Sequence, residues 1–193
     1  MQLPSLYAPR RFGDNRGWFS ESYNARTLEQ FGIADRFIQD NHSFSAQAGT
    51  LRGIHFQKPP FAQAKLVRCL RGRIWDLAVD LRAGSPSHGV WRGVELSAEN
   101  GHQLYVPVGF GHAFITLTPD CEISYKVSDY YAPDHEGGIC WDDPDLAIGW
   151  PFAGEPILSA KDAQLPLLAD FDSPFAFDGG IFDDIRLLGE VAR

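Results

Sequence analysis

Leu51-Arg52-Gly53-Ile54-His55-Phe56-Gln57 carries one histidine, and Pro107-Val108-Gly109-Phe110-Gly111-His112 carries another much later in the chain. No acidic residue occurs between His55 and Asp76, so the two segments supply two imidazoles and no nearby carboxylate. Tight binding of a divalent metal normally needs at least three protein ligands around an open position. The two segments therefore predict a pocket that is free for chemistry other than metal binding.

The two segments resemble the paired signature motifs of a cupin barrel, in which two histidine-bearing strands face each other across a cavity. A metal-binding cupin supplies His-x-His and a glutamate from the first motif and a histidine from the second. Here Gln57 stands where the second histidine of His-x-His would be. The resemblance implies a pocket with no metal and no cofactor, and it favours acid–base catalysis on a carbon acid.

Length and charge limit the class of protein. The 193 residues suit one domain, which can bury about 70% of the surface of its unfolded chain. The net charge of −8 argues against non-specific nucleic-acid binding, although a local basic pocket could hold an anionic ligand. The many aromatic residues are typical of a β-structure, and aromatic side chains in its pocket could stack on the ring of a ligand.

The cysteines and the N-terminus indicate the compartment. Cys69, Cys121 and Cys140 form no CxxC pair, which excludes zinc-ribbon and thioredoxin-type motifs and favours free thiols in a reducing cytosol. The first residues show no signal peptide, and no stretch approaches the roughly 20 apolar residues that span a bilayer. We expect a cytoplasmic protein without membrane contact.

Alternating polar and apolar residues between closely spaced glycines and prolines predict an all-β fold. The predicted strands are 65–70, 73–81, 90–96, 103–106, 113–117 and 122–127, and one short helix is predicted at 27–31 before Gly32. This pattern favours a cupin-type jelly-roll barrel or sandwich with a few short helices, mainly peripheral and C-terminal. Residues 1–193 are expected to form one domain, with a barrel core at about 35–150 and a C-terminal wrap at 151–193, of which 172–193 is the least predictable part.

A series of segments resembles the dTDP-4-dehydrorhamnose 3,5-epimerase family. The resemblance covers roughly residues 7–170, and the motifs are specific because they occur together and in order. The matching segments are FGDNRGWFSE (12–21), QDNHS (39–43), LRGIHFQ (51–57), QAKLVR (63–68), DLRAGSP (80–86), PVGFGHAF (107–114), SYK (124–126), DYYAP (129–133), WDDP (141–144) and LSAKD (158–162). Trp18, where the family commonly has Phe, is a mild departure.

The resemblance implies inversion at C3 and C5 of a 4-keto-6-deoxyhexose carried on dTDP. Both carbons adjoin the C4 carbonyl, so removal of either proton gives an enolate, which needs a base, an acid on the opposite ring face and a donor for the enolate oxygen. His55 is the predicted base, and the resemblance makes Asp162 its carboxylate partner. A wall histidine is the less favoured alternative for His55, given its Arg-Gly-x-His-Phe-Gln context, whereas from the residues alone Asp162 could equally be a loop carboxylate.

By the same resemblance, Tyr125 is the predicted acid, with Tyr131 and Tyr130 as competitors. Lys65 is the predicted donor to the enolate oxygen, because the ten residues that separate it from His55 allow a hairpin to return it beside that histidine. A solvated lysine on a strand is the ordinary alternative. His112 is expected to point into the cavity and bind substrate, unless it is a structural imidazole.

Arg16, Arg52 and Lys161 are candidates for the diphosphate, because guanidinium and ammonium groups pair with phosphate oxygens. Phe19 and Trp18 could stack on the thymine ring. The remaining predicted substrate-binding residues are Glu21, Gln39, Asn41, Gln57, Tyr131 and Glu136. The family resemblance also implies a homodimer, in which the segment 1–34 carries Arg16 to the neighbouring subunit's site; an ordinary surface loop is the alternative.

Several functions remain open on the sequence. Related enzymes of this fold invert only C3, or only C5, or move the keto group between C3 and C4. A metal-dependent cupin enzyme using His55, His112 and Gln57 is a further alternative, and a non-catalytic carbohydrate- or nucleotide-binding cupin is another. The family resemblance places the double epimerase in dTDP-L-rhamnose biosynthesis, which supplies carbohydrates such as lipopolysaccharide.

Overall fold

The computed structural model describes residues 2–188, so Met1 and the end of the predicted wrap, 189–193, lie outside the described residues. Strands dominate this part of the chain, with one α-helix, α1 (Ala25–Gln30), and 3₁₀ turns at Pro133–His135, Asp162–Gln164 and Leu168–Asp170. The strands are β1 (Ser5–Tyr7), β2 (Phe12–Asp14), β3 (Gly17–Phe19), β4 (Gln39–Ser45), β5 (Leu51–Gln57), β6 (Lys65–Arg71), β7 (Arg73–Asp80), β8 (Trp91–Ser97), β9 (Gln103–Val106), β10 (Phe110–Thr116), β11 (Cys121–Val127), β12 (Glu136–Gly138) and β13 (Arg186–Leu188). The prediction of an all-β fold with few short helices is confirmed.

The predicted segments fold into the elements that their patterns indicate. The six predicted strands correspond to β6–β11, and the largest difference is at β10, which begins three residues earlier than expected. Helix α1 begins after Asn24, whose side chain accepts hydrogen bonds from the backbone N–H groups of Arg26 and Thr27. It ends before Gly32, whose φ of +86° lies in the left-handed region that favours glycine.

Two sheets face each other around the interior. The larger sheet has the strand order β13-β1-β9-β6-β11-β4, and the smaller has the order β12-β5-β10-β7-β8. In the smaller sheet, His55 on β5 lies directly opposite His112 on β10. The two histidine-bearing strands are therefore hydrogen-bonded neighbours in one sheet, and the larger sheet supplies the facing wall.

Apolar side chains fill the barrel and cover both outer faces. Inside, residues such as Val67, Ile74 and Phe110 form one buried cluster. Outside the smaller sheet, β5 and β7 pack against Ile139, which directly follows β12, and against Phe175 of the C-terminal wrap. The wrap thus removes from water the sheet face opposite the histidines, and this burial supplies much of the driving force for folding.

The segment beyond residue 170 is also built into the barrel. Phe182 is 1% exposed and packs edge-on against Phe110 in the interior cluster. Arg82 donates hydrogen bonds to Asp80, to Asp178 and to the carbonyl oxygen of Gly180, and these bonds tie the segment to the end of β7. β13 then pairs in parallel with β1 at the edge of the larger sheet.

We expect Phe182→Ala to destabilise the protein by about 3–5 kcal/mol, because it removes an aromatic ring from a closed core and leaves a cavity. Urea unfolding measures the change. The neighbouring Ile181 is 57% exposed, so Ile181→Ala is the matched control and is expected to stay within about 0.5 kcal/mol of the parent. Equal unfolding midpoints for the two variants would contradict the placement of Phe182 in the core.

Candidate active site

A shift in strand register brings Arg52 and His55 to the same cavity, although regular alternation would place them on opposite faces of β5. The shift lies between His112 and Phe114 in the β5–β10 pairing. Gly53 permits the close approach, because its φ is +130° and a Cβ there would lie 2.4 Å from the Cβ of Ala113. The glycine of the motif therefore serves the geometry of the site.

The C-terminal wrap delivers a carboxylate to His55. The backbone N–H of Leu51 donates to the carbonyl oxygen of Ile157 at 3.0 Å, which fixes the wrap beside the start of β5. Asp162 follows, and its backbone N–H donates to Ser159 Oγ. His55 Nε2 lies 2.6 Å from Asp162 Oδ1. Two groups separated by 107 residues in sequence therefore form a hydrogen-bonded histidine–carboxylate pair.

The environment of Asp162 keeps its carboxyl ionised. Burial opposes the charge, but hydrogen bonding and the charge of His55, with a further hydrogen bond from Ser159, lower the pKa of Asp162 below its usual value. A carboxylate held in this way accepts a hydrogen bond from the imidazole N–H and fixes the orientation of the ring. Because Nε2 of His55 is bound to Asp162, Nδ1 is the ring nitrogen that could accept a proton from a bound molecule.

Lys65 crosses the interior from the opposite sheet. Its Nζ donates to the backbone carbonyl oxygen of His55 at 3.2 Å, so the predicted proximity of the two residues is present in the structure. Burial lowers the pKa of Lys65 to about 8, while the charges of Asp76 and Glu136 act in the other direction. The side chain is therefore a cation at neutral pH that loses its charge in mildly alkaline solution.

Tyr125 lies on β11 of the larger sheet, whereas His55 lies on β5 of the smaller sheet. Both side chains line the same open space, so they approach a bound molecule from different walls. Burial raises the pKa of Tyr125, which keeps the phenol protonated. A protonated phenol facing an imidazole across a cavity can act as the acid of an acid–base pair.

The open space consists of two adjoining cavities that share His55, Lys65 and Tyr125. The Asp162 cavity, of about 340 Å³, is also lined by Arg52, His112, Lys161 and Asp162. The Glu136 cavity, of about 480 Å³, is also lined by Gln39, Asn41, Gln57, Tyr131 and Glu136. Twelve of the fifteen predicted site residues thus surround one continuous space.

Some of these residues are engaged with one another. The Glu136 carboxylate accepts a hydrogen bond from the Tyr131 hydroxyl at 2.8 Å and also contacts the Lys161 ammonium. Gln57, at the position of a cupin metal ligand, donates to the carbonyl oxygen of Tyr130 and accepts from the backbone N–H of Ala132. Its amide therefore holds the loop that carries Tyr131.

Arg16, Phe19 and Glu21 do not line either cavity of their own chain. Arg16 and Phe19 belong to the hairpin β2–β3, which pairs with no other strand in the described chain. The Arg16 side chain is 85% exposed and pairs with Asp14 at 2.6 Å. The hairpin thus presents a cation and aromatic side chains, including Trp18, to its surroundings.

The sequence reasoning missed two polar groups inside the barrel. Asp76 on β7 lies 2.7 Å from His112 Nε2 and is fully buried. Ser43 on β4 lines the Asp162 cavity, and its hydroxyl is buried without a hydrogen-bond partner among the described residues. A signal for Asp76 was present in the sequence. Residues two apart on a strand share a face, so Asp76 lies on the same inward face of β7 as the core residues Ile74 and Ala78.

Residues 2–188 contain no cluster of three or more His, Cys, Asp and Glu side chains that could hold a metal ion. His55 and His112 each use Nε2 to bind a carboxylate.

The helices of the described chain are all too short or too polar to span a lipid bilayer.

The fold and the site together define a cupin-type jelly roll whose cavity carries acid–base side chains. The family model "dTDP-4-dehydrorhamnose 3,5-epimerase" matches residues 4–170. A curated relative of that name from Sinorhizobium fredii is 50% identical over 173 residues, which cover 89% of this chain and 88% of the relative. The chain belongs to the dTDP-4-dehydrorhamnose 3,5-epimerase family and is an isomerase, as its sequence motifs predicted.

Solved structures agree with this assignment. The epimerase from Bacillus anthracis, crystallised with TDP and PPi, is 54% identical, has a TM-score of 0.83, and is matched over 85% of this chain and 93% of its own. The enzyme from Legionella pneumophila, in complex with dTDP-4-keto-L-rhamnose, is 48% identical, has a TM-score of 0.81, and is matched over 86% and 87%. A 3'-monoepimerase from Streptomyces bikiniensis, in complex with dTDP-quinovose, is 38% identical, has a TM-score of 0.81, and is matched over 86% and 84%. The prediction of a cupin-type fold is confirmed.

Proposed function

We propose that the protein inverts C3 and C5 of dTDP-4-dehydro-6-deoxy-D-glucose to give dTDP-4-dehydro-L-rhamnose, in dTDP-L-rhamnose biosynthesis. The observation that carries this proposal is the arrangement of the His55–Asp162 pair and Tyr125 on different walls of one cavity that also contains the buried Lys65. Inversion needs a base and an acid on opposite faces of a ring, and the two walls supply them.

Each inversion proceeds through an enolate. His55 Nδ1 takes the proton from carbon, the electron pair of the broken C–H bond moves towards the C4 oxygen, and Asp162 stabilises the resulting imidazolium. Lys65 donates to the oxygen as its negative charge develops. Tyr125 then gives its proton to the other face of the carbon and the ketone re-forms. Before the second inversion, the imidazolium releases its proton to solvent and the phenolate regains one.

Two exposed cationic side chains of the Asp162 cavity can pair with the oxygens of the substrate's diphosphate. Arg52 and Lys161 are both exposed and both line the Asp162 cavity. The hexose ring then lies where the two cavities join, against His55, Lys65 and Tyr125. The catalytic groups require no metal or other cofactor for this chemistry, because the C4 ketone already acidifies both carbons.

Solvent exchange tests the function directly. In D₂O, NMR of dTDP-4-keto-6-deoxyglucose is expected to show deuterium uptake at both C3 and C5 with the parent protein, and at neither carbon with His55→Ala. Exchange at C3 alone would indicate a single epimerase such as the related 3'-monoepimerase. Retention of both hydrogens would contradict the proposal and favour a non-catalytic binding protein.

We expect Tyr125→Phe to lower the rate of inversion by about 10²–10⁴-fold while exchange with solvent persists, because His55 still removes and returns protons on its own face. NMR of exchange, together with a coupled reductase assay for the product, measures the two rates separately. Tyr23→Phe, which also removes a phenol but lies outside both cavities, is the control. Full turnover by Tyr125→Phe would place the acid elsewhere, with Tyr131 as the next candidate.

The pH dependence is expected to reflect Lys65. A lysine is charged below its pKa, so kcat is expected to fall as the pH rises through about 8, the pKa to which burial lowers this ammonium. Lys65→Met should lose this alkaline limb and reduce kcat by about 10²–10³-fold, the usual cost of removing an oxyanion donor. Lys58→Met, at an exposed lysine outside both cavities, is the control. An unchanged alkaline limb in Lys65→Met would contradict the role.

We also propose that the protein is a cytoplasmic homodimer with shared sites, whose product is used for glycans such as lipopolysaccharide. The segment 1–34 would carry Arg16, Phe19 and Glu21 into the neighbouring subunit's site. The exposure of the hairpin and its separation from its own cavities support this arrangement. A cation and an aromatic ring suit a diphosphate and a thymine ring.

Mixed dimers test the sharing of sites. Arg16→Ala and His55→Ala are each expected to be impaired, but a mixed dimer of the two variants contains one site in which both residues are intact. Tagged co-expression and isolation of the mixed dimer should therefore recover about half of the parent activity. A mixed dimer no more active than Arg16→Ala would mean that Arg16 serves the site of its own chain.

A further inference from the structure

A second histidine–carboxylate pair lies inside the barrel, next to the first. His112 on β10 is paired in register with His55 on β5, and its Nε2 lies 2.7 Å from Oδ1 of Asp76 on β7. Three adjacent strands of the smaller sheet thus carry two imidazoles and the Asp76 carboxyl. In the proposed mechanism the His55–Asp162 pair takes the proton from carbon, and the His112–Asp76 pair has no step of its own.

Burial of the Asp76 carboxyl costs free energy. It is fully buried, and its Oδ2 has no hydrogen-bond partner among the described residues. An isolated carboxylate in such a place is strongly disfavoured. Burial raises the pKa of Asp76 and lowers the pKa of His112, and it outweighs the mutual attraction of the two groups and the effect of the Lys65 charge on Asp76.

These conditions favour a pair that carries no net charge. A neutral pair holds one proton between Asp76 Oδ1 and His112 Nε2 and a second proton on His112 Nδ1. Loss of the second proton would leave a buried negative charge with a bare Oδ2. With the shared proton on Asp76 Oδ1, the neutral pair presents the Nδ1–H of His112 as a hydrogen-bond donor.

The His112 side chain lies at the reaction space. His112 lines the Asp162 cavity, and within residues 2–188 its Nδ1 makes no hydrogen bond. The titratable groups that act on His112 are Asp76 on β7, His55 on β5 and Lys65 on β6. Nδ1 of His112 and the Lys65 ammonium thus belong to the same part of the cavity as the predicted base.

We propose that Asp76 is a positioning residue, which holds His112 with its Nδ1–H towards the C4 oxygen, so that His112 and Lys65 together donate to the enolate. This inference rests on the proposed epimerase function. When His55 takes the proton from carbon, negative charge develops on the C4 oxygen, and the shared proton moves from Asp76 Oδ1 towards His112 Nε2. The movement strengthens the Nδ1–H donor as the charge appears and reverses when the ketone re-forms.

Asp76→Asn tests the role, because an amide cannot transfer the shared proton. We expect kcat to fall about tenfold to a hundredfold, a typical loss on removal of the outer partner of a functional histidine. The affinity for dTDP, measured by calorimetry, is expected to stay unchanged. Asp80→Asn is the matched control, since Asp80 is also a buried aspartate of β7 but binds Arg82 and lines neither cavity. It should reduce thermal stability and leave kcat of the folded protein unchanged.

A double-mutant cycle separates positioning from general damage. If Asp76 acts through His112, Asp76→Asn should cause little further loss of kcat in a His112→Gln background. Full additivity of the two losses, or a kcat equal to the parent in Asp76→Asn, would overturn the inference. Absence of exchange with the parent protein itself would instead overturn the proposed function.

A measurement on the parent protein covers the case in which Asp76→Asn does not fold. ¹⁵N NMR of labelled histidines, with the His112 signals assigned by their absence in His112→Gln, reports which ring nitrogens carry protons. The inference predicts a protonated Nδ1 in His112 throughout the neutral pH range. An unprotonated Nδ1 with the proton fixed on Nε2 would overturn it.

Discussion

The hydrogen bond between His55 and Asp162 is the interaction on which the site depends. An imidazole can act as a directed base only if its tautomer and orientation are fixed, and the 2.6 Å contact fixes both. The bond joins a barrel strand to the C-terminal wrap, which the hydrogen bond from Leu51 to Ile157 holds beside β5. Packing of the wrap beside β5 therefore also brings Asp162 to His55, the proposed base.

The two-sheet architecture supplies what an inversion requires. The smaller sheet carries the His55 and His112 pairs, and the larger sheet carries Lys65 and Tyr125. In the proposed mechanism, a ring bound between the sheets meets the base His55 on one side and the acid Tyr125 on the other. The same burial that closes the barrel tunes these groups, since it lowers the pKa of Lys65 and raises the pKa of Tyr125.

The sequence predicts local structure well and contacts between distant strands poorly. Strands such as β9 follow from alternation, and α1 follows from its flanking residues, because both patterns are written within a few positions. The Asp76–His112 pair depends on the register between β7 and β10, and the placement of Phe182 depends on tertiary packing beyond residue 170. Neither contact leaves a local pattern, although the position of Asp76 between the core residues Ile74 and Ala78 does. The family resemblance identified His55, Asp162 and Tyr125, which periodicity alone would not have selected.

We propose that the His55–Asp162 pair removes the proton from carbon without the help of a metal ion. The most direct test is elemental analysis of the purified protein combined with its epimerase activity before and after exhaustive treatment with EDTA. The account predicts full activity with far less than one transition-metal ion per chain. Loss of activity on chelation, with recovery on addition of iron, manganese or zinc, would contradict it.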